Sequence, residues 1–164
     1  MTSPDWEERV AATWTSFDER TDKENRVLVE SLAAELPPDS AIASFERACV
    51  FDSTDASDLA VPLYQDALAR GLPVERRRRA VIQLASSLRN IGRSEESVAL
   101  LADELEAGSD ELDDAVRAFL ALALTDVGRE REAVSHALVA LGPHLQRYQR
   151  SLAAYARELV DDAG

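Results

Sequence analysis

The chain has 164 residues, of which 46% are apolar and 30% charged, and this composition fits one globular domain and excludes a disordered or collagen-like chain. Its formal net charge of -13 excludes general nucleic-acid binding, because most of the surface would repel phosphates. The single cysteine, Cys49, excludes a disulfide within the chain, and no run of about 18 apolar residues and no signal-peptide pattern is present, so we expect a cytoplasmic location.

Proline, glycine and capping residues divide the chain into nine predicted helices with short loops. The first begins at Ser3-Pro4, the second ends before Pro37-Pro38, and the fifth carries VERRRRAVIQLASSLRN (74–90) and stops at Gly92. The remaining predicted helices begin near 39 or span about 56–70, 94–107, 110–127, 130–141 and 144–160. No segment has the alternation of a strand, so the predicted class is all-α.

The predicted helices repeat with a period of 36 to 37 residues. The segment LASSLRNIGRSEESVALL (84–101) aligns without a gap with LALALTDVGREREAVSHA (120–137), and RACVFDSTDASDLAVPLY (47–64) is the preceding copy. In each copy a small residue is followed three positions later by a large apolar one, which predicts close helix approach beside a filled groove. These pairs are Ala48 and Phe51, Ala85 and Leu88, and Ala121 and Leu124.

This helix–turn–helix pattern resembles the tetratricopeptide repeat, in three copies over about residues 40–142. The positions that match the family's small residue are Ala60, Ser97 and Ala133, its aromatic residue is matched by Tyr64, and its next alanine by Ala67 and Ala140. The closing proline is matched approximately by Pro73 and Pro143 and is missing after the middle copy. The other departures are Leu101, Ala137 and Glu104, together with Asp55 in place of the turn glycine.

The two ends of the chain are similar to a bacterial subgroup, the tetratrico peptide repeat group 5 proteins. The similar segments are WEERVAATW (6–14) and LGPHLQRYQRSLAAYAREL (141–159). The resemblance implies a right-handed superhelical solenoid of antiparallel helix pairs in a single domain, 1–164. Its parts would be N-terminal helices (1–37), three repeats (38–142) and a capping helix (143–164) whose apolar stripe faces inward. That stripe is Leu145, Tyr148, Leu152, Tyr155 and Leu159.

The fifth predicted helix carries an unusual charge. Six arginines and no acid lie from Arg76 to Arg93, whereas twelve basic residues accompany all thirty-one acids elsewhere. At about 100° per residue, one face of this helix is apolar around Val81 and the opposite face is polar. The residues of the polar face and its flank are Arg79, Gln83, Ser86, Arg89 and Asn90. The first helices of the pairs line the concave wall in the family, so we predict that these five residues form the centre of a partner-binding groove.

Two interpretations of the arginines remain open at this stage. Guanidinium groups bind carboxylates in a bidentate manner, so the polar face could hold an anionic protein or peptide segment. Apolar walls would flank it, formed by Ile42, Phe45 and Cys49 in the first repeat and by Ala115, Ala118 and Leu122 in the third. Alternatively, the arginines pair within the chain, for example with the acids of DELEAGSDELDD (103–114), in contacts worth about 0–1 kcal/mol each.

Other candidate sites lead to an alternative function. Trp6 and Trp14 share one face of the first helix and either pack the N-terminal helices or form a homodimer contact. The alternative is therefore a homodimerising structural module whose groove is filled in cis. His136 and His144 lack metal-ligand spacing, and the chain has no phosphate-binding loop and no nucleophile–histidine–acid set, so we expect a non-enzymatic protein without cofactors. Neither nucleic acid nor membrane is an expected partner.

Overall fold

The computed structural model describes residues 2–161, and every regular element in that range is helical. The nine α-helices described there are α1 (Pro4–Thr15), α2 (Asp22–Ala33), α3 (Ala41–Asp52), α4 (Ser57–Arg70), α5 (Val74–Asn90), α6 (Ser94–Ala107), α7 (Asp113–Asp126), α8 (Glu130–Leu141) and α9 (Gln149–Asp161). Two short 3-10 turns follow α1 and α8, at Phe17–Glu19 and Gly142–His144. The all-α prediction is confirmed. None of these helices combines the length and apolarity that a membrane span requires.

The N-terminal ends of the first three helices are capped by side chains. The hydroxyl of Ser3 accepts a hydrogen bond from the N–H of Trp6, and Pro4 occupies the first helical position, as the sequence predicts. Thr21 and Glu24 form a reciprocal capping box at α2, and Ser40 caps α3. These caps satisfy backbone donors that a helix leaves unpaired and fix where each helix begins.

The predicted repeat is visible in the hydrogen bonds of the helix turns. The N–H groups of Ala56, Arg93 and Arg129 each donate to the carbonyl five residues earlier, on Phe51, Leu88 and Leu124 respectively. The residue before each donor has a positive φ, which is 57° at Asp55, 79° at Gly92 and 76° at Gly128. This geometry is the Schellman ending of an α-helix. The same turn therefore joins α3 to α4, α5 to α6 and α7 to α8.

The core positions of the repeat are buried in each copy. The small residues Ala60, Ser97 and Ala133 are at most 4% exposed, and Tyr64 and Leu101 are fully buried. Glu104 stands at an alanine position of the family and is nevertheless 5% exposed. Small residues at these positions allow the helices of a pair to approach closely.

The chain divides into two compact units, Met1–Gln83 and Leu84–Gly164, and the boundary falls within α5. In the N-terminal unit, α3 and α4 are antiparallel, since the Ser44 hydroxyl donates to Asp66 Oδ2 over 2.7 Å. The rings of Phe45 and Tyr64 meet between these helices with centroids 6.1 Å apart. The helix α2 packs along α3, where Arg47 pairs with Glu30.

The C-terminal unit contains the C-terminal half of α5 together with α6 to α9. The helix α8 packs against both α7 and α9. It is antiparallel to α9, since the Ser135 hydroxyl donates to the carbonyl of Ala156 over 2.6 Å and Arg131 Nε donates to that of Leu159 over 3.1 Å. Antiparallel helix pairs are thus present in both units.

The last helix differs from its prediction. It begins at Gln149 rather than near His144, because Gly142–His144 forms a 3-10 turn and Tyr148 has a φ of 69°, outside the helical region. Tyr148 and Tyr155 are 78% and 62% exposed, so the expectation that the stripe faces inward is wrong at these two positions, whereas its leucines are half-buried. Instead α9 is buried at Ala156, where it meets α8. The predicted capping segment ends at residue 164, and positions 162–164 lie outside the described residues.

Candidate functional site

The N-terminal half of α5 presents Arg79 and Gln83 in the N-terminal unit. The side chain of Arg79 is exposed, and its guanidinium carbon lies 5.6 Å from the centroid of the Phe45 ring. Gln83 is half-buried, and its Oε1 accepts a hydrogen bond from Cys49 Sγ at 3.5 Å. An arginine held over an aromatic face keeps its outward N–H groups available to further acceptors.

The C-terminal half of α5 presents Ser86, Arg89 and Asn90 in the C-terminal unit. Ser86 is half-buried and Asn90 is exposed. Arg89 forms an ion pair with Asp126 at the end of α7, with 2.6 Å between Nε and Oδ2. Its Nη2 also donates to Oδ1 of the same carboxylate over 3.4 Å. All five predicted residues lie on α5, two in the N-terminal unit and three in the C-terminal unit, and the ion pair with Asp126 holds Arg89.

The opposite side of α5 is buried, as its helical spacing predicts. Val81, Leu84, Ala85 and Leu88 are at most 4% exposed, whereas Ile91, which the spacing also assigns to the core, is 37% exposed. The buried side chains of this helix also include a charged one that was not predicted from the sequence, Arg78, which is 6% exposed. It lies about 60° from Val81 on a helical projection, so the same projection could have found it.

Arg76 at the start of α5 belongs to a polar cluster of the N-terminal unit. Its Nη2 lies 2.6 Å from Glu7 Oε2 on α1, and its Nε lies 3.3 Å from Glu46 Oε1 on α3. Trp14 Nε1 donates to the other oxygen of Glu46 over 2.9 Å. The hydrogen bond from Arg76 lowers the pKa of Glu7 below its ordinary value. These contacts join α1 to α3 and α5. The spacing of residues in the sequence did not indicate this cluster.

The two tryptophans of α1 lie within the N-terminal unit. Trp6 is 2% exposed, packs with Val10 and Leu32, and donates its indole N–H to the carbonyl of Leu32 over 2.9 Å. Trp14 is half-buried and stacks on Phe17 with ring centroids 5.2 Å apart. Packing of the N-terminal helices therefore accounts for Trp6. A homodimer contact stays a prediction, and of the two tryptophans only Trp14 has exposed surface for it.

The two predicted apolar walls differ in exposure. Phe45 and Cys49 are 1% and 4% exposed, so the expected open wall in the first repeat is wrong at these positions, where the Arg79 guanidinium and the Gln83 amide contact them. In the third repeat, Ala118 and Leu122 are exposed as expected. An apolar surface therefore accompanies α7 in the C-terminal unit.

Buried polar atoms adjoin the site in the N-terminal unit. Burial raises the pKa of the Cys49 thiol to about 12, and it also raises the pKa of the Tyr64 hydroxyl. Cys49 is therefore a protonated core residue at neutral pH rather than a nucleophile. Among residues 2–161, no cluster of histidine, cysteine, aspartate or glutamate has the geometry to hold a metal ion.

Asp126 was missed from the sequence, although the repeat contains the signal for it. It aligns with Asn90 in the gap-free alignment of 84–101 with 120–137. First helices of successive repeats are neighbours in a stacked array, so the residue aligned with Asn90 would lie near Arg89. Residues 103–114 were expected to supply acids for these arginines. Instead, Arg76 pairs with Glu7 and Glu46, and Arg89 pairs with Asp126.

Helix pairs with one repeated turn, buried small residues and a polar helix face define a class of protein, the helical-repeat scaffold for protein–protein contacts. The family model described as Tetratrico peptide repeat, group 5, matches residues 41–159, and the chain belongs to this family. The solved structure "MamA MSR-1 C2" is 17% identical, with a TM-score of 0.62, over 99% of this chain and 83% of that one. This likeness shows the shared fold. A search of curated proteins found no match.

Proposed function

We propose that this scaffold performs no chemistry and binds a protein or peptide segment with an anionic group along the polar face of α5. The residues that would make the contact are Arg79, Gln83, Ser86, Arg89 and Asn90. In the family the first helices of the pairs line the concave wall, and α5 is such a helix. Guanidinium groups would hold the carboxylate or other anion, and the amide and hydroxyl groups would bind the backbone of the segment.

The observation that carries the proposal is the position of Arg79. Its side chain is exposed and lies over an aromatic ring, in a chain with thirty-one acidic residues. An exposed guanidinium can bind a carboxylate in a bidentate manner, and the aromatic ring beneath it fixes its position. Elsewhere on an acidic surface such a ligand would be repelled, so the charge of the chain directs it to this helix.

Arg89 would bind the anion by exchanging its present partner, Asp126, for the ligand. The side chain of Asp126 is about one-third exposed, and an ion pair with this exposure is worth about 0–1 kcal/mol. A bound anion could therefore replace or share Asp126 at small cost. The pair also holds the Arg89 side chain in place before binding, which reduces the entropy lost on association.

A second candidate function is a homodimerising module whose binding face is filled in cis. The contacts of Glu7 and Trp14 with Arg76 and Glu46 support it, because they place α1 against α3 and α5 in the N-terminal unit. Light scattering over a range of concentrations separates the two functions. A dimer at every concentration favours this candidate, and a monomer favours partner binding.

The test of the first candidate is site-directed crosslinking. A photoreactive residue replaces Ser86 on the polar face of α5, and the control carries it at Ala99, an exposed position on α6. We expect a discrete crosslinked protein from Ser86 alone, and its loss when Arg79→Glu is added. Equal products from both positions, or a Ser86 product indifferent to Arg79→Glu, would contradict the proposal.

A further inference from the structure

A cleft in the C-terminal unit has no part in the proposed function. It lies between the C-terminal half of α8, the 3-10 turn that follows it, and α9, and has a volume of about 480 Å³. Its lining includes Leu138, Gly142, Pro143, Gln149, Ala153 and Arg157. The hydrogen bond from the Ser135 hydroxyl to the carbonyl of Ala156 joins the same two helices. The volume falls in the usual range of ligand sites, roughly 300–1,000 Å³.

The apolar lining continues onto exposed faces of both helices. Val134 and Leu141 share the face of Leu138 on α8 and are 47% and 49% exposed. On α9, Val160 shares the face of Ala153 and is 39% exposed. At these spacings the apolar side chains extend along about 10 Å of each helix, or two helical turns. Exposed apolar side chains beside a cleft are typical of an interaction site.

One charged side chain, Arg157, is among the described residues that line the cleft. It follows Gln149 and Ala153 at four-residue spacing on α9, so it lies at one end of that wall. Its side chain is exposed, and no acid is among the described lining residues. The charge of the cleft therefore complements a ligand with an apolar body and one acidic group.

The chemistry of the walls favours a helix over an extended peptide. Both walls are helices, whose backbone groups are used internally, and the Gln149 amide already donates to the carbonyl of Leu145 over 2.8 Å. An extended peptide would leave its own N–H and C=O groups unpaired against apolar side chains, which is unfavourable for each buried group. A helix satisfies its own backbone and packs its ridges between those of α8 and α9.

We propose that the cleft between α8 and α9 binds an amphipathic α-helix of a partner protein. Its apolar stripe would pack on Leu138 and Ala153, and an acidic side chain on its flank would pair with Arg157. This helix-in-groove site is separate from the polar face of α5, and it gives the scaffold a second point of contact.

The experiment uses the full chain and two synthetic helical peptides with a fluorescent label. Both peptides carry leucine at positions i, i+4 and i+7, and they differ by glutamate or lysine on the flank. We expect the glutamate peptide to bind about threefold more tightly, which is the effect of one partly exposed ion pair. In Arg157→Glu the preference reverses, and in Arg150→Glu, an exposed change outside the lining, it stays.

A second variant fills the cleft. Gly142 has an ordinary helical backbone, with φ of -50° and ψ of -48°, and a Cβ at this position would meet no atom within 4 Å. Gly142→Leu should therefore occupy the cleft without backbone strain and weaken both peptides by about tenfold or more, whereas Gly142→Ala should change little. If Gly142→Leu does not fold, the reversed peptide preference of Arg157→Glu is by itself the test of the proposal.

Five outcomes would overturn the proposal. They are the absence of saturable binding, an unchanged peptide preference in Arg157→Glu, unchanged binding by folded Gly142→Leu, equal binding of a peptide broken by a central proline, and a wild-type dimer that Gly142→Leu dissociates. The fourth outcome would mean that the occupant is not a helix, and the fifth that it is a second copy of this chain. Arg79→Glu should leave peptide binding unchanged, so failure here is distinguishable from failure of the proposed function.

Discussion

Asp126 Oδ2 lies 2.6 Å from Arg89 Nε, so a carboxylate at the end of α7 holds the last arginine of α5. The same helix presents Arg79 to solvent over the ring of Phe45. One helix thus carries an arginine in an internal pair and an exposed arginine. Ion pairing within the chain, one of the two sequence interpretations, therefore holds for Arg89, and an anionic partner at this helix stays a prediction.

Removal of the internal acid should strengthen partner binding. Asp126→Asn leaves Arg89 without its carboxylate, so we expect the yield of the Ser86 crosslink to rise about threefold at limiting protein concentration. The thermal stability should fall by about 1 kcal/mol or less. The control is Glu132→Gln, which breaks the comparable pair with Arg129 on α8. An equal rise in both variants would mean that net charge alone acts.

The helix turns predict opposite effects for two substitutions. Asp55 has a φ of 57° where the other two repeats have glycine, so Asp55→Gly should stabilise the fold by up to about 1 kcal/mol. Gly92→Ala, at a φ of 79°, should destabilise it by about 1 kcal/mol or more. Urea unfolding measures both. A loss of stability in Asp55→Gly would contradict the equivalence of the turns.

The thiol of Cys49 should resist alkylation in the folded protein. Burial raises its pKa to about 12 from an ordinary 9.0, so at pH 8 the thiolate is about a thousandfold scarcer than in the unfolded chain. Iodoacetamide labelling followed by mass spectrometry, with and without urea, measures the difference. Similar rates in the two conditions would show that Cys49 is open to solvent.

The ion pair between Glu7 and Arg76 predicts a pH dependence of stability. The folded pKa of Glu7 is lowered, so its contribution is fully present above the ordinary pKa of 4.5 and is lost as the pH falls through the folded value. With 37% of the Glu7 side chain exposed, we expect Glu7→Gln to cost about 1 kcal/mol or less at pH 7. This difference from wild type should shrink below pH 4.5.

Urea midpoints at several pH values measure the effect, and Glu8→Gln, an exposed neighbour, is the control. A difference between wild type and Glu7→Gln that stays constant from neutral to acid pH would exclude the ion pair as its cause.

The sequence predicted the helices and the buried face of α5 because both follow from local rules. Glycine and proline mark helix ends, and the spacing of Val81, Leu84 and Leu88 marks one face. The start of α9 was not predictable by these rules, since the spacing of Leu145, Tyr148 and Leu152 continues through a turn that Tyr148 breaks with a positive φ.

The pairing of charges was harder to predict than the helices. Arg76 has partners 69 and 30 residues away, and sequence spacing within one helix contains no information on such contacts. The pairing of Arg89 with Asp126 could have been predicted, because Asp126 aligns with Asn90 in the next repeat. The burial of Phe45 was not predicted, because it depends on contacts with Tyr64 of α4 and Arg79 of α5 that the spacing within one helix does not reveal.

The most direct test of the central claim is quantitative affinity capture with a charge-matched control. Arg79→Glu with Arg89→Glu reverses two charges on the polar face of α5, and Arg147→Glu with Arg150→Glu reverses two exposed charges at the C-terminal end. We predict that the first variant loses the captured partner by tenfold or more, about 1.4 kcal/mol, while its helicity and melting temperature stay near those of wild type. Equal capture by both variants, with both folded, would contradict the account.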